Sequence, residues 1–317
     1  MNFEEKRYAA TMTRIAGVLL LFLLLMLVRD VAGALLPTLS LGLSAMSAEI
    51  LTELLQAVLY AICFLIPAWA FFHWPCAVPA RPLDLSLSMP RHTLCYVLFG
   101  MAVTSAAAFF NAQIVSVFHY GEFSSEVLWN NDVTENYQLV LMLVSLVVVP
   151  AFVEELLFRG VILSNLLPFG KGTAIIGSAM LFGLMHQNAE QLLYATAAGA
   201  VLGWIFVQTR SIWPCVLMHF VNNFHSVFQT ALLSRVPSEA AEKLLYLVQG
   251  ALLLLGLVSG VVLFLQKDPA EQTDEGAECV LPVSRRVRLF FNVPMIIFVA
   301  WCVASMLFLI MMSLAMD

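Results

Sequence analysis

Apolar residues run through this chain in long blocks separated by short polar stretches. A helix that crosses a bilayer needs about 20 apolar residues. Nine blocks approach or exceed that length: 14–36, 51–72, 92–115, 138–167, 173–186, 190–208, 212–230, 243–265 and 289–316. The fifth is short, and the first carries Arg29 and Asp30 near its far end. Polar breaks at 75–90, 121–136 and 267–288 separate several of the blocks, and the last, with its acids, Pro269, Gly276 and Pro282, reads as a solvated loop.

Composition agrees with this pattern. The 317 residues are 61% hydrophobic and 11% charged, whereas soluble domains carry about 25% charged residues. The expected fold is all-α, a polytopic membrane bundle of eight or nine transmembrane helices. Three regions follow: N-terminal helices and loops at 1–137, a core at 138–230, and C-terminal helices at 231–317 with the charged loop at 267–288. The net charge of −6 comes without a basic stripe, so no nucleic-acid partner is expected. Six cysteines form no CxxC pair and read as small apolar packing residues.

Lys and Arg placement sets orientation. With the N-terminus inside, the inside segments collect Lys6, Arg7, Arg14, Arg81, Arg91, Lys171, Arg210, Lys267, Arg285, Arg286 and Arg288, against Arg29, Arg235 and Lys243 outside. The break after the third block holds Glu122, Glu126, Asp132 and Glu135 and no Lys or Arg. The first block follows Lys6, Arg7 and Arg14 without a clear small-residue cleavage site, so it is read as an anchor rather than a signal peptide. In the sixth block Ala195, Gly199 and Gly203 form a small-residue stripe, which suits close helix packing within one chain.

Polar residues inside these blocks are the candidate chemistry. The fourth block contains Glu154, Glu155 and Arg159. A charge near the centre of a membrane helix costs about 2.5–3.5 kcal/mol on insertion scales, so such residues face a bundle interior or a watery cavity. Glu155 and Arg159 share a helix face and can pair. Glu154, rotated by roughly 100°, lacks that partner and is free for acid–base work. Pro150, four residues earlier, removes a helix hydrogen bond beside the site. The fifth block ends in His186, and the seventh places His219 and Asn223 on one face. Counted from the turn near Phe169–Gly170, Glu154 and His186 both stand roughly 23–25 Å up their helices, so they are level. A chamber between the fourth, fifth and seventh helices is expected.

Taken together, Glu154-Glu155-xxx-Arg159, Phe182-xxx-His186 and His219-xxx-Asn223 resemble the three motifs of the CAAX-protease and bacteriocin-processing (abortive infection) family. The resemblance covers about residues 138–230 and includes the stretch from Thr209 to Pro214. It implies an intramembrane endopeptidase. Glu154 and His186 would activate a water, His219 and Asn223 would stabilise the oxyanion, and Glu155 and Arg159 would support them. The family has been described both as metalloproteases and as metal-free glutamate proteases. A zinc ion on Glu154, His186 and His219 is therefore an open version, although no HExxH motif is present. The implied partners are the bilayer, expected to be the cell membrane's, and a membrane-associated substrate: a prenylated CAAX tail, a bacteriocin-like leader or another anchored protein.

Two other classes stand beside this one. A scaffold or immunity protein would use the fold without catalysis, but would not need two intramembrane carboxylates. A proton-coupled transporter would use Glu and His as relays, but tends to show repeated halves, and none is evident. Plainer roles fit the remaining polar residues: Asn188 and Gln191 as a helix cap and its partner, Ser211 as the cap of the seventh helix, His225 as a structural residue, and Asn222 pointing away from Asn223.

Overall fold

The computed structural model describes residues 1–36, 42–76, 78–118, 135–266 and 281–316. These residues form ten helices and no strand. They are α1 (Phe3–Leu35), α2 (Ala45–His73), α3 (Thr93–Phe118), α4 (Asn136–Phe169), α5 (Lys171–Met185), α6 (Ala189–Thr209), α7 (Trp213–Arg235), α8 (Ser238–Leu265), α9 (Val283–Phe290) and α10 (Val293–Met316). Glu122, Glu126, Asp132, His119, Lys267 and Cys279 lie outside the described residues.

A helix stands at each of the nine apolar blocks, and seven of them are long and apolar enough to cross a membrane. The other two fall short for different reasons. At 15 residues, α5 reaches about 22 Å, less than a hydrocarbon core. With 23 residues α7 is long enough, but it carries His219, Asn222, Asn223 and His225 on its inner part. The chain is thus a polytopic helical membrane bundle. Its outer helices show lipid-type surfaces, with Leu247, Leu254 and Phe264 of α8 and Val293 and Met311 of α10 exposed.

α4 is the central helix, packed by α2, α5, α6 and α7. Its backbone is not uniform. Regular turns at Asn136–Met142 and Val149–Glu155 alternate with π-helical turns at Leu143–Val148 and Leu156–Leu163. The N–H of Val149 accordingly donates to Val144 O, five residues back. Such wide turns shift the angular position of the residues that follow. From Val153 to Leu163 every residue of α4 is buried.

At Gly170, φ is 111°, a backbone region that disfavours side chains. The chain reverses there into α5. α6 then returns against α5 along the small-residue stripe. A Cβ on Gly199 would sit 3.1 Å from Ala179 Cα, and Gly203 faces Leu163 and Ile175. The stripe therefore packs helices within the monomer.

One part of the expected loop at 267–288 is different. Residues Val283–Phe290 form the short helix α9. Its arginines explain the folding: Arg285 Nε donates to Glu5 Oε1 at 2.6 Å, and Arg286 bonds Phe169 O at 2.7 Å and the Thr173 hydroxyl. Arg7 lies over the Phe169 ring at 5.5 Å, and Arg14 donates to Val78 O. Arg7 of α1 and Arg286 of α9 thus both contact the α4–α5 turn.

Candidate active site

Glu155 and Arg159 form the innermost pair, both fully buried. Arg159 Nη1 donates to Glu155 Oε1 at 2.8 Å, and Nη2 donates to Gly199 O at 3.0 Å. The guanidinium stands 4.6 Å over the Phe182 ring. The absence of a side chain at Gly199 lets α6 come close enough for this bond. Four residues of spacing on α4 and one glycine on α6 thereby lock two helices together.

The same Glu155 oxygen holds His219. His219 Nδ1 is 2.8 Å from Glu155 Oε1, and a carboxylate only accepts, so Nδ1 carries the proton. His186 is fixed in the same sense: its Nδ1 donates to Phe182 O, one turn earlier, at 2.8 Å. Both imidazoles therefore present Nε2 away from their anchors. Phe182 supports both rings edge-on, at 5.2 Å from His186 and 6.0 Å from His219.

Glu154 is 3% exposed, and among the described residues no Lys or Arg pairs with it. Its Oε1 accepts from the Tyr60 hydroxyl of α2 at 2.5 Å. Its Oε2 is buried without a hydrogen bond and lies 4.0 Å from His219 Nε2. That gap exceeds a direct bond.

Asn223 fills a vacancy that Pro150 leaves in the helix ladder. Pro150 has no N–H to return to Leu146 O, four residues back, and Asn223 Nδ2 donates to that carbonyl at 2.9 Å. Asn222 joins Asn223 at 3.3 Å and accepts from the Tyr194 hydroxyl at 2.7 Å. Asn222 was expected to point elsewhere; instead it lines the same cavity.

Tyr60, Glu154, His186, His219, Asn222 and Asn223 line one cavity of about 400 Å³. The fourth, fifth and seventh helices all contribute to it, as expected, and α2 and α6 complete it. A larger cavity of about 940 Å³ adjoins it, sharing Tyr60, Ser145, Leu146 and His186, and is walled by Phe22 and Met26 of α1 and Trp301 and Phe308 of α10. Asn188 caps α6 by accepting from the Glu190 N–H at 2.8 Å, while Gln191 lines the cavities. Ser211 Oγ accepts the Trp213 N–H at 3.3 Å and donates to Ser88 O at 2.7 Å. Tyr60 and Tyr194 were not anticipated; each is a single tyrosine in an apolar helix, with no spacing to mark it.

The donor types of Glu154, His186 and His219 suit zinc. As arranged, however, the described residues hold no group of three or more His, Cys, Asp or Glu side chains placed to ligate one ion.

Comparison with known proteins adds a family to this geometry. A relative described as "Putative membrane peptidase YdiL", from Bacillus subtilis (strain 168), is 25% identical over 135 residues. The alignment covers 39% of this chain and 54% of that protein, so the chain spans about half the length of the curated relative it matches. No solved structure matches significantly. Residues 136–225 of the integral membrane bundle, which contain Glu154, Glu155, Arg159, His186, His219 and Asn223, match the family model described as type II CAAX prenyl endopeptidase Rce1-like.

Proposed function

We propose that the chain is an intramembrane endopeptidase that hydrolyses membrane-associated peptides or proteins by a metal-free, glutamate-activated water. The observation that carries this reading is the Glu154 carboxylate. It is buried, held on one oxygen by Tyr60, and unpaired on the other oxygen, in a cavity it shares with two imidazoles and two amides.

In this reading a water sits between Glu154 Oε2 and His186 Nε2. Glu154 takes a proton from the water, and its oxygen attacks the scissile carbonyl carbon. The tetrahedral oxyanion is met by the side-chain amide of Asn223, which the Leu146 carbonyl holds in place. His219 assists from Nε2 in its imidazolium form, since its Nδ1 proton is already committed to Glu155. Donors fixed before the reaction stabilise the developing charge without reorganising. Glu154 then passes its proton to the departing amine as the C–N bond breaks. Arg159 acts through Glu155, holding the carboxylate that orients His219. The adjoining 940 Å³ cavity, lined by apolar Phe22, Met26, Trp301 and Phe308 and by polar Arg29, Asp30, Glu53 and Gln138, suits an extended amphiphilic segment. Zinc on Glu154, His186 and His219 is the second version, and it requires these side chains to move together.

The Lys and Arg distribution supports an N-terminus on the inside, and the protein is placed in the cell membrane in this reading. The substrate is a prenylated tail, a leader peptide or another anchored protein. Comparative terminal proteomics of membranes from cells carrying the wild-type chain or Glu154→Ala tests the reading. New termini seen only with the wild type support it. Identical termini in both contradict it and favour a scaffold.

A further inference from the structure

A second polar cavity borders the catalytic one, and the proposed chemistry does not use it. It measures about 350 Å³ and lies among α3, α6, α7 and α8. Its walls include Ser105 and Asn111 of α3, His225 and Gln229 of α7, and Gln249 of α8. These side chains interrupt helices whose outer faces are apolar. Among the described residues, the side chains of His225, Gln229 and Gln249 make no hydrogen bond within the protein, and His225 Nε2 is buried. A polar cavity of this size has room for several waters, each satisfied by two to four such groups. The two cavities share Gln191, Tyr194, Asn222 and Ser226. The Tyr194–Asn222 hydrogen bond of 2.7 Å stands in this shared wall, and Asn222 in turn touches Asn223.

We propose that this second cavity is a water reservoir for the hydrolytic site, and that the Tyr194–Asn222 pair is the passage between them. The inference rests on the hydrolytic reading above. Each peptide bond cut consumes one water, and a substrate filling the adjoining 940 Å³ cavity closes that route to Glu154. A separate store among α3, α6, α7 and α8 resupplies water while substrate is bound. Tyr194 and Asn222 are positioning residues in this scheme, since they act on the water and not on the scissile bond.

Radiolytic hydroxyl-radical footprinting of the full chain in lipid nanodiscs tests this, because it labels side chains beside internal water. Tyr194 and His225 are expected to oxidise several-fold faster than the lipid-facing Phe109 and Phe264. Ser105→Leu, which fills the cavity from α3, is expected to suppress both labels and to lower kcat with KM unchanged. Ser105→Thr is expected to keep the labels and the rate. If Ser105→Leu fails to fold, Ala112→Leu, two turns along the same helix, fills the same space. Labels on Tyr194 and His225 no greater than on Phe264 overturn the proposal. So does a filled, unlabelled cavity with wild-type kcat. Footprinting needs no turnover and is also read in Glu154→Gln. Hydrolysis without labels defeats the reservoir alone, whereas labels in a chain that hydrolyses nothing defeat the proposed function and the supply role with it.

Discussion

Tyr60 donates its hydroxyl to Glu154 Oε1 at 2.5 Å, joining residues 94 positions apart in the chain. The contact places α2, outside the family-matched segment, in direct charge of the carboxylate on which the proposed reaction turns. The Tyr60 ring also packs on Phe64 with centroids 4.9 Å apart, so the ring position does not depend on the hydroxyl. Tyr60→Phe therefore removes one hydrogen bond and little packing. A hydrogen bond to a charged group contributes about 1.5–3 kcal/mol, so kcat is expected to fall roughly 10- to 100-fold at unchanged yield and thermal stability. Unchanged kcat would show that the tyrosine is a bystander.

Arg159 carries a structural prediction. Arg159→Met leaves Glu155 buried beside His219 with no guanidinium and leaves Gly199 O without its donor. Removing one partner of a buried ion pair costs about 3–5 kcal/mol. Thermal unfolding in detergent should show a large drop in midpoint, and Arg159→Lys should recover it only in part, since a single ammonium does not span both acceptors in the same planar geometry. A midpoint equal to the wild type would contradict the pairing.

The proposed reaction gives Asn223 a second duty beside its bond to Leu146 O, and the two separate by measurement. Asn223→Ala leaves the Leu146 carbonyl without its donor and removes the amide aimed at the oxyanion. Loss of an oxyanion donor lowers kcat roughly 100- to 1,000-fold, with KM little changed. Equal loss from kcat and from substrate affinity, or no loss, would assign Asn223 to helix support alone.

Metal removal separates the two versions of the chemistry. Protein stripped by chelator and verified to be free of metal is expected to retain its full rate. Activity that vanishes on chelation and returns with zinc would establish the metal version.

Much of the site was legible from spacing, because an α-helix sets spacing. The four-residue step from Glu155 to Arg159 is a bonded pair, and the four-residue step from Phe182 to His186 is a ring bonded to a backbone carbonyl. Glu154 and His186, expected at one level, line one cavity, and α4 and α5 turn into each other at Gly170. Contacts between helices distant in sequence were not legible. Tyr60 and Tyr194 reach the cavity only through the way α2 and α6 pack on α4. The misjudged side chain, Asn222, shows the limit of ideal helical angles: two neighbours on one turn of α7 both reach a cavity that extends around the helix. Helix α9 was read as loop because its eight residues hold three arginines, and its partners, Glu5 and Phe169, lie far away in sequence.

The most direct test of the central claim compares the purified wild-type chain with Glu154→Gln in nanodiscs, on a membrane-anchored peptide that the wild type cuts. Glutamine keeps the size and polarity of the side chain but has no carboxylate to accept a proton from water. The account predicts that hydrolysis falls at least roughly 100-fold while substrate still binds. Hydrolysis by Glu154→Gln at the wild-type rate would contradict it.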